Sequence, residues 1–388
     1  MTCQYTVTFD SGADPATVRV GGKCAGLLTM TGAGVAVPPG FAVTVDAFDA
    51  LLDSGGLRAE IDSLLSGLDV EDPPGTRTCA AEIRRLVGER PVPSRVAAAV
   101  TAAYRVLGDD GDAGGGRDDG GDGGDGDDGG AGGVPVAVRS SAETEDLPTL
   151  SFAGQYDTYL WIRGADAVVD AVRRCWASLW TTRAIAYRAT NGVPERGQSM
   201  GVAVQRMVDA RSAGVAVTLN PADGDPSKIV IDAGWGLGGP VVSGEVTPDN
   251  YLVDKVLLLP VRTTVAPKQY EIVAAPDGSG IVRRAVEDAR RQEPCLAPAE
   301  VTAVARLAKA VERHYGCPQD IEWAIDRTPG PPSRAGAPAR DGGPGVLLLQ
   351  ARPETVWSRR PRAAAAVVRG AGVTSIADTM LGLGTLPT

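Results

Sequence analysis

Apolar positions along this chain follow two periods, and the change from one to the other divides it into helices and strands. Val96, Val100, Ala103 and Leu107 recur at helical spacing and predict a helix over 94–107. Val169, Val172, Trp176, Leu179 and Trp180 form a longer stripe, with Arg173, Arg174 and Arg183 on other faces, and predict one helix over 165–188. Shorter helical patterns cover 25–31, 80–88 and 299–314, the last stopped by Gly316; another runs from Asp46, read as its cap, to Leu52. Strand-like runs cover 5–9, 134–141, 158–162, 201–208, 213–219, 228–233, 251–259, 320–326 and 346–351. Pro38-Pro39-Gly40 marks a turn, because proline presets φ and glycine accepts a positive one. Strands and helices interleave without clean βαβ repetition, which favours an α+β fold over a doubly wound sheet.

Composition changes this picture in one place. The 388 residues carry a net charge of −10, and 43% are apolar, enough for two or three compact domains. Between residues 108 and 133, however, lie nine Asp, a single Arg and 14 of the 50 glycines. That run holds a charge of −8, so the remainder is close to neutral. It resembles calcium-binding nonapeptide repeats but lacks their regular large apolar residue, so the expectation is a disordered, self-repelling Gly/Asp linker.

The acidic balance and 5% aromatic content argue against a nucleic-acid partner or an anionic membrane surface. One histidine excludes HExxH and three-histidine metal sites. No 18-residue apolar run predicts a transmembrane helix, and the first residues lack the basic and apolar regions of a signal peptide. The six cysteines (Cys3, Cys24, Cys79, Cys175, Cys295, Cys317) are scattered without a CxxC pair. They read as reduced thiols, and the expected location is cytoplasmic.

Several segments could carry chemistry. Gly21-Gly22-Lys23 joins a strand to a helix, where backbone N–H groups and a mobile ammonium suit a phosphate. It is not a Walker A loop, and a glycine turn beside a lysine is common in itself. Arg139-Ser140-Ser141 ends a strand; the planar guanidinium suits polyphosphate, or pairs with Glu143 or Glu145 at the surface. Residues 151–155 form a small-residue loop, either a flap over phosphates or a hairpin turn. Gly234-Trp-Gly-Leu-Gly-Gly239 lacks a following helix and the acidic residue of a dinucleotide fingerprint. On 320–326, period 2 places Asp320, Glu322, Ala324 and Asp326 on one face, and Gln350 and Arg352 share a face of the last strand. If these strands pair, a carboxylate, an amide oxygen and a guanidinium cluster as a Mg²⁺–nucleotide site needs; an ordinary polar sheet face is the other reading. His314, at a helix C-terminus, reads as a cap for the last carbonyls rather than a catalyst.

Five ordered segments together carry a family resemblance: GGKCAGLLTMTGAGVAVPPGFAVT, VAVRSSAETEDLPTLSFAGQYDTYL, VAVQRMVDARSAGVAVTLNP, GWGLGGPVVSGEVTPDNYLVDK and DIEWAID…LLLQARPETV. Across roughly residues 18–358 the chain resembles the ATP-binding part of the phosphoenolpyruvate synthase and pyruvate phosphate dikinase family. The resemblance implies a two-lobed ATP-grasp fold: a first lobe of 1–107 and 134–195, the linker 108–133, a second lobe of 196–358 and a tail of 359–388. It implies ATP and Mg²⁺ as cofactors, with Lys23 and Arg139 on the phosphates and Ser151, Gly154 and Gln155 in a loop covering them. Gln205, Met207 and Val208 would line the adenine pocket, Glu322 and Gln350 would hold Mg²⁺, and Arg352 would stabilise the transferring phosphoryl group.

Two departures stand out. Gly239 replaces the acid of the usual GLGE, and the phosphorylated histidine that relays the group in relatives has no counterpart motif. The implied activity is ATP-dependent transfer of the β-phosphoryl to a histidine of a partner protein on a separate chain, yielding AMP and phosphate, and from there to a small-molecule acceptor. Direct phosphorylation of a small molecule and a non-catalytic nucleotide-binding module are the alternatives.

Overall fold

A computed structural model describes residues 4–109, 133–143, 156–327 and 345–357. Most of the Gly/Asp run, the loop 151–155 and the tail after 358 lie outside the described residues. Strands β1 (Thr6–Thr8), β2 (Gly40–Val43), β3 (Val136–Ala142), β4 (Thr158–Ile162) and β5 (Met200–Arg206) form a five-stranded sheet in the order β1-β2-β5-β3-β4. Strands β6 (Ala210–Val217), β7 (Lys228–Trp235), β8 (Asp249–Asp254) and β9 (Pro260–Thr264) form a second sheet with β12 (Gln319–Asp326) and β13 (Val346–Pro353), in the order β13-β12-β6-β7-β8-β9. Between β9 and β12, β10 (Tyr270–Ala274) and β11 (Ile281–Ala285) make a separate hairpin. Among the described residues the named strands pair antiparallel, with one isolated parallel bridge between Gly236 and Ile272, so the expected α+β class holds.

Helices α2 (Val45–Leu52), α3 (Leu57–Ser66), α4 (Pro73–Glu89), α5 (Ser94–Asp109), α6 (Ala165–Ala177) and α7 (Thr182–Thr190) follow α1 (Gly22–Gly32) in the chain. Together α2 to α7 cover one face of the first sheet, where Phe48 lies 5.8 Å from the ring of Trp176 and 6.1 Å from that of Trp180. The other face receives α1, whose Cys24, Leu27 and Leu28 pack on Ala42 and Ala203. Met30 of the same helix enters the core of the second sheet, so α1 lies between the two. That second core is closed by α9 (Pro298–Tyr315), which follows the short α8 (Gly239–Val242) and sets Val301, Val304, Ala308 and Val311 against Ile231, Ile321, Trp323 and Ile325. Burying each Val or Ile among them contributes about 1.5–3 kcal/mol. A buried ion pair, Lys268 to Asp249 at 2.6 Å, pins the segment after β9 to β8, and the same carboxylate accepts the N–H groups of Ala266 and Cys295.

Several expectations change. The single helix over 165–188 is two, α6 and α7, separated by a 3-10 turn at Ser178–Trp180, because the Thr181 hydroxyl caps a new helix by accepting from the Ala184 N–H. Thr44, not Asp46, is the N-cap residue of α2; Asp46 sits in its first turn. The strand over 251–259 stops at Asp254, whose carboxylate takes the Val256 and Leu257 N–H groups in a turn before β9. The second lobe was expected to begin at 196, but β5 hydrogen-bonds to β2 and β3, so the change of sheet falls after Arg206. Alternation marks a strand and does not say which strands flank it. The glycine loop 234–239 does lead into a helix, the four-residue α8, but it leaves an antiparallel strand, which excludes a dinucleotide fold on topology instead. Among the described residues no helix is long and apolar enough to cross a membrane.

Candidate nucleotide and metal site

The face of the second sheet turned away from α9 carries the chemistry. Strand β12 alternates: Ile321, Trp323 and Ile325 enter the α9 core, while Asp320, Glu322 and Ala324 look the other way. Antiparallel pairing with β13 sets Glu322 opposite Gln350 and Asp320 opposite Arg352, so the conditional pairing read from the sequence is present. Next to these pairs the register slips: Gln350 faces Glu322 but Leu348 faces Trp323, leaving Leu349 without a cross-strand partner. Such a bulge re-aims side chains and frees a carbonyl from the ladder.

Arg139 crosses to this face from β3 of the first sheet. Its Nη2 donates to Glu322 Oε2 at 2.7 Å and to Gln350 Oε1 at 2.8 Å, and its Nη1 donates to the Leu349 carbonyl at 2.9 Å. The Arg139 side chain is 13% exposed and that of Glu322 28%, so this contact is more shielded than a fully exposed surface ion pair. Of the two partners foreseen for Arg139, Glu143 instead accepts from the Ser199 hydroxyl and pairs with Arg19, and Glu145 lies outside the described residues.

Lys23 stands in the first turn of α1 and donates to the carbonyl of Ser140, next to Arg139. The turn before it is bolted to β3: the Ser141 hydroxyl donates to the Val20 carbonyl at 2.9 Å and accepts the Cys24 N–H at 3.0 Å. Gly21 has φ +76, and a Cβ there would lie 1.8 Å from the Ser141 carbonyl oxygen, so only glycine lets α1 start this close to β3. Arg352 is held by Asp320, Nε to Oδ2 at 2.9 Å. Asp320 was placed on the right face by period 2 but given no role; its register opposite Arg352 supplies one.

The adenine candidates divide. Val208 belongs to an apolar shelf with Ala210, Ala213 and Ala324, extended by Leu237, Leu347 and Leu349, immediately beside Glu322. Gln205 is buried and turns its amide onto the Pro38 carbonyl at 3.3 Å. Met207 ties its N–H to the Pro135 carbonyl at the exit from the first sheet. Ser151, Gly154 and Gln155 lie outside the described residues.

One side chain on this face had no sequence signal. Asp232 on β7 lies in the same cross-strand row as Glu322, through Val215, and accepts the Asn250 amide at 2.7 Å. Burial pushes its carboxyl above the ordinary range, partly offset by that hydrogen bond. Gly239 is exposed at the start of α8 with nothing within 4 Å of a Cβ, so the surroundings leave room for a larger side chain. His314 is exposed at the end of α9, edge-on to the Tyr315 ring, on the opposite side of the sheet from Glu322.

Glu322 and Gln350 present two hard oxygens aimed at a single point, the position of one guanidinium nitrogen. Among the described residues no group of three or more His, Cys, Asp or Glu could hold a metal. That donor set fits Mg²⁺, which takes one or two protein oxygens and completes its shell with phosphates and water. Cations on one wall, hard acceptors on the other and an apolar shelf at one end are together suited to a nucleoside polyphosphate.

Known proteins resemble this chain. Residues 17–369 match the family model of the pyruvate phosphate dikinase AMP/ATP-binding domain. A phosphoenolpyruvate synthase of Aeropyrum pernix is 38% identical over 374 residues, covering 89% of this chain and 42% of its own length. That of Pyrococcus furiosus is 36% identical over 348 residues, covering 80% of this chain and 40% of its own. A rifampicin phosphotransferase of a Streptomyces species is 40% identical over 309 residues, covering 79% of this chain and 33% of its own. The chain thus spans less than half the length of each of these relatives.

Proposed function

Starting from the fact that the chain belongs to the pyruvate phosphate dikinase AMP/ATP-binding family, we propose that it binds Mg·ATP between its two sheets, as the two lobes of an ATP-grasp fold, and transfers the β-phosphoryl group to a histidine on a partner protein. Overall, ATP, water and the histidine give AMP, orthophosphate and phosphohistidine. The observation that carries this reading is the meeting of Arg139 with Glu322 and Gln350, contributed by two different sheets.

Each residue has a distinct task in the proposal. Glu322 and Gln350 would hold Mg²⁺, which would neutralise phosphate charge. Lys23 from α1 and Arg139 from the first sheet would grip the phosphate oxygens, Arg139 with a planar fork and Lys23 as a point charge. Arg352, steadied by Asp320, faces the charge that develops on the phosphoryl group in flight. Val208 and the shelf around it receive the adenine. Positioning and charge neutralisation are what phosphoryl transfer chiefly requires, and no residue here needs to act as a covalent carrier. His314 is on the wrong side of the sheet for that task, so the acceptor histidine comes from outside these residues; a cytoplasmic partner chain is the reading adopted.

The test uses ATP labelled at the β-phosphate, mixed with the protein and the phosphohistidine-domain proteins of the same genome. Acid-labile, base-stable label on one partner histidine is the expected result; label on none of them defeats the relay. The relatives favour two different final acceptors, since one is named for phosphoenolpyruvate and another for rifampicin. Chasing the labelled partner with pyruvate or with rifampicin separates these. Label passing to a small molecule with no partner present supports direct phosphorylation instead.

A further inference from the structure

Arg139 holds the same two oxygens that the proposed function gives to Mg²⁺. Its Nη2 lies 2.7 Å from Glu322 Oε2 and 2.8 Å from Gln350 Oε1. A divalent ion bound to those oxygens, at about 2.1 Å from each, would stand against the guanidinium, and two positive charges at that separation repel strongly in a shielded site. The contact is also built rather than incidental. The register slip takes Leu349 out of the ladder, and its carbonyl accepts Nη1 at 2.9 Å, so three acceptors from β12 and β13 fit one fork. The base of the side chain is fixed in the sheet between β5 and β4, with Lys23 fastened to the next residue's carbonyl, so a phosphate arriving at one cation meets the other.

We propose that Arg139 is an exchange latch: it occupies the metal-ligand oxygens until nucleotide phosphates draw its guanidinium away, so that the protein accepts the divalent ion with the nucleotide and discriminates against the ion alone. The latch rests on the reading of this site as a Mg–nucleotide site. It makes Arg139 a positioning residue before it becomes a phosphate ligand, and it makes metal and nucleotide binding cooperative through one side chain.

Mn²⁺ binding without nucleotide, followed by water-proton relaxation, tests it on the full chain. Wild type should bind Mn²⁺ weakly and Arg139→Gln about tenfold more tightly or better, since a latch closed nine-tenths of the time weakens the ion tenfold. Arg139→Lys should fall between, because an ammonium cannot bridge three acceptors with a planar fork; it also serves if the glutamine variant does not fold. Adding Glu322→Gln to Arg139→Gln should abolish the gain, which assigns the ion to these oxygens. Unchanged or weaker Mn²⁺ binding in the folded Arg139 variants overturns the latch. Calorimetry of wild type with Mg·AMP-PNP reads the parent proposal separately: no binding there defeats the nucleotide site itself, whatever the Mn²⁺ result.

Discussion

The two faces of the six-stranded sheet are made by the same strands and serve different ends. Toward α9, β12 presents Ile321, Trp323 and Ile325 to a core of aliphatic side chains. Toward the first sheet it presents Asp320, Glu322 and Ala324 to Arg352, Arg139 and the apolar shelf. One residue of register separates them, so the strand that carries much of the second core also aims Glu322, one of the two proposed metal ligands. A site placed on such a strand is held by packing that never touches the ligand.

The largest effect should come from the packed face. Trp323 is fully buried, and Trp323→Ala should cost about 3–5 kcal/mol through the cavity it leaves. Thermal melting should fall by roughly 10 °C, while Mg·AMP-PNP affinity, measured well below the new melting point, stays close to wild type. If affinity collapses together with melting temperature, the faces are not independent and the comparison breaks.

Glu322→Gln probes the other face. Glutamine keeps the shape and an acceptor for Arg139 but removes the charge, so melting should move little. Transfer of the β-phosphoryl should fall about 10²-fold or more, the usual scale for losing one charge-stabilising group. A variant that melts like wild type and transfers at the wild-type rate would show that Glu322 is an ordinary polar position. A drop in melting as large as that of Trp323→Ala would mean that the Arg139 contact is mainly structural.

How much of this was legible in the sequence follows from the same contrast. Period 2 revealed both faces of β12, and the pairing of Glu322 with Gln350 followed once the last two strands were taken as neighbours. Four things were hidden, each for a physical reason. The partners of Arg139 lie 183 and 211 positions away, and alternation carries no information about contacts between sheets. The bulge at Leu349 sits in a run of three leucines, where no change of period can show. Helix α3 follows Gly55-Gly56, both with positive φ, and buries only Leu57 and Ile61, so its apolar stripe is too thin to stand out. The split between α6 and α7 was missed because a hydroxyl cap can interrupt an apolar stripe without altering it.

The smallest effect concerns Asp232, a carboxylate on the open face whose burial disfavours its charge. Burial raises its folded-state pKa, so the folded protein holds the proton more tightly than the unfolded chain does. The sign follows from linkage: where only the unfolded state has lost the proton, stability falls as pH rises, and above the raised value the penalty is complete. Asp232→Asn removes the charge and keeps an oxygen for the Asn250 amide. The variant should therefore melt slightly higher than wild type at pH 7, and the difference should vanish as pH drops below the ordinary aspartate range, because both proteins are then neutral at this position. A difference that persists or grows in acid would refute burial as the cause. Proteins tolerate such a cost where a group has a task, and Asp232 shares a row with Glu322 on the face that takes the nucleotide in the proposed reading. A gain in melting temperature coupled to weaker phosphoryl transfer would extend the functional face to β7; a gain with transfer unchanged would confine it to β12 and β13.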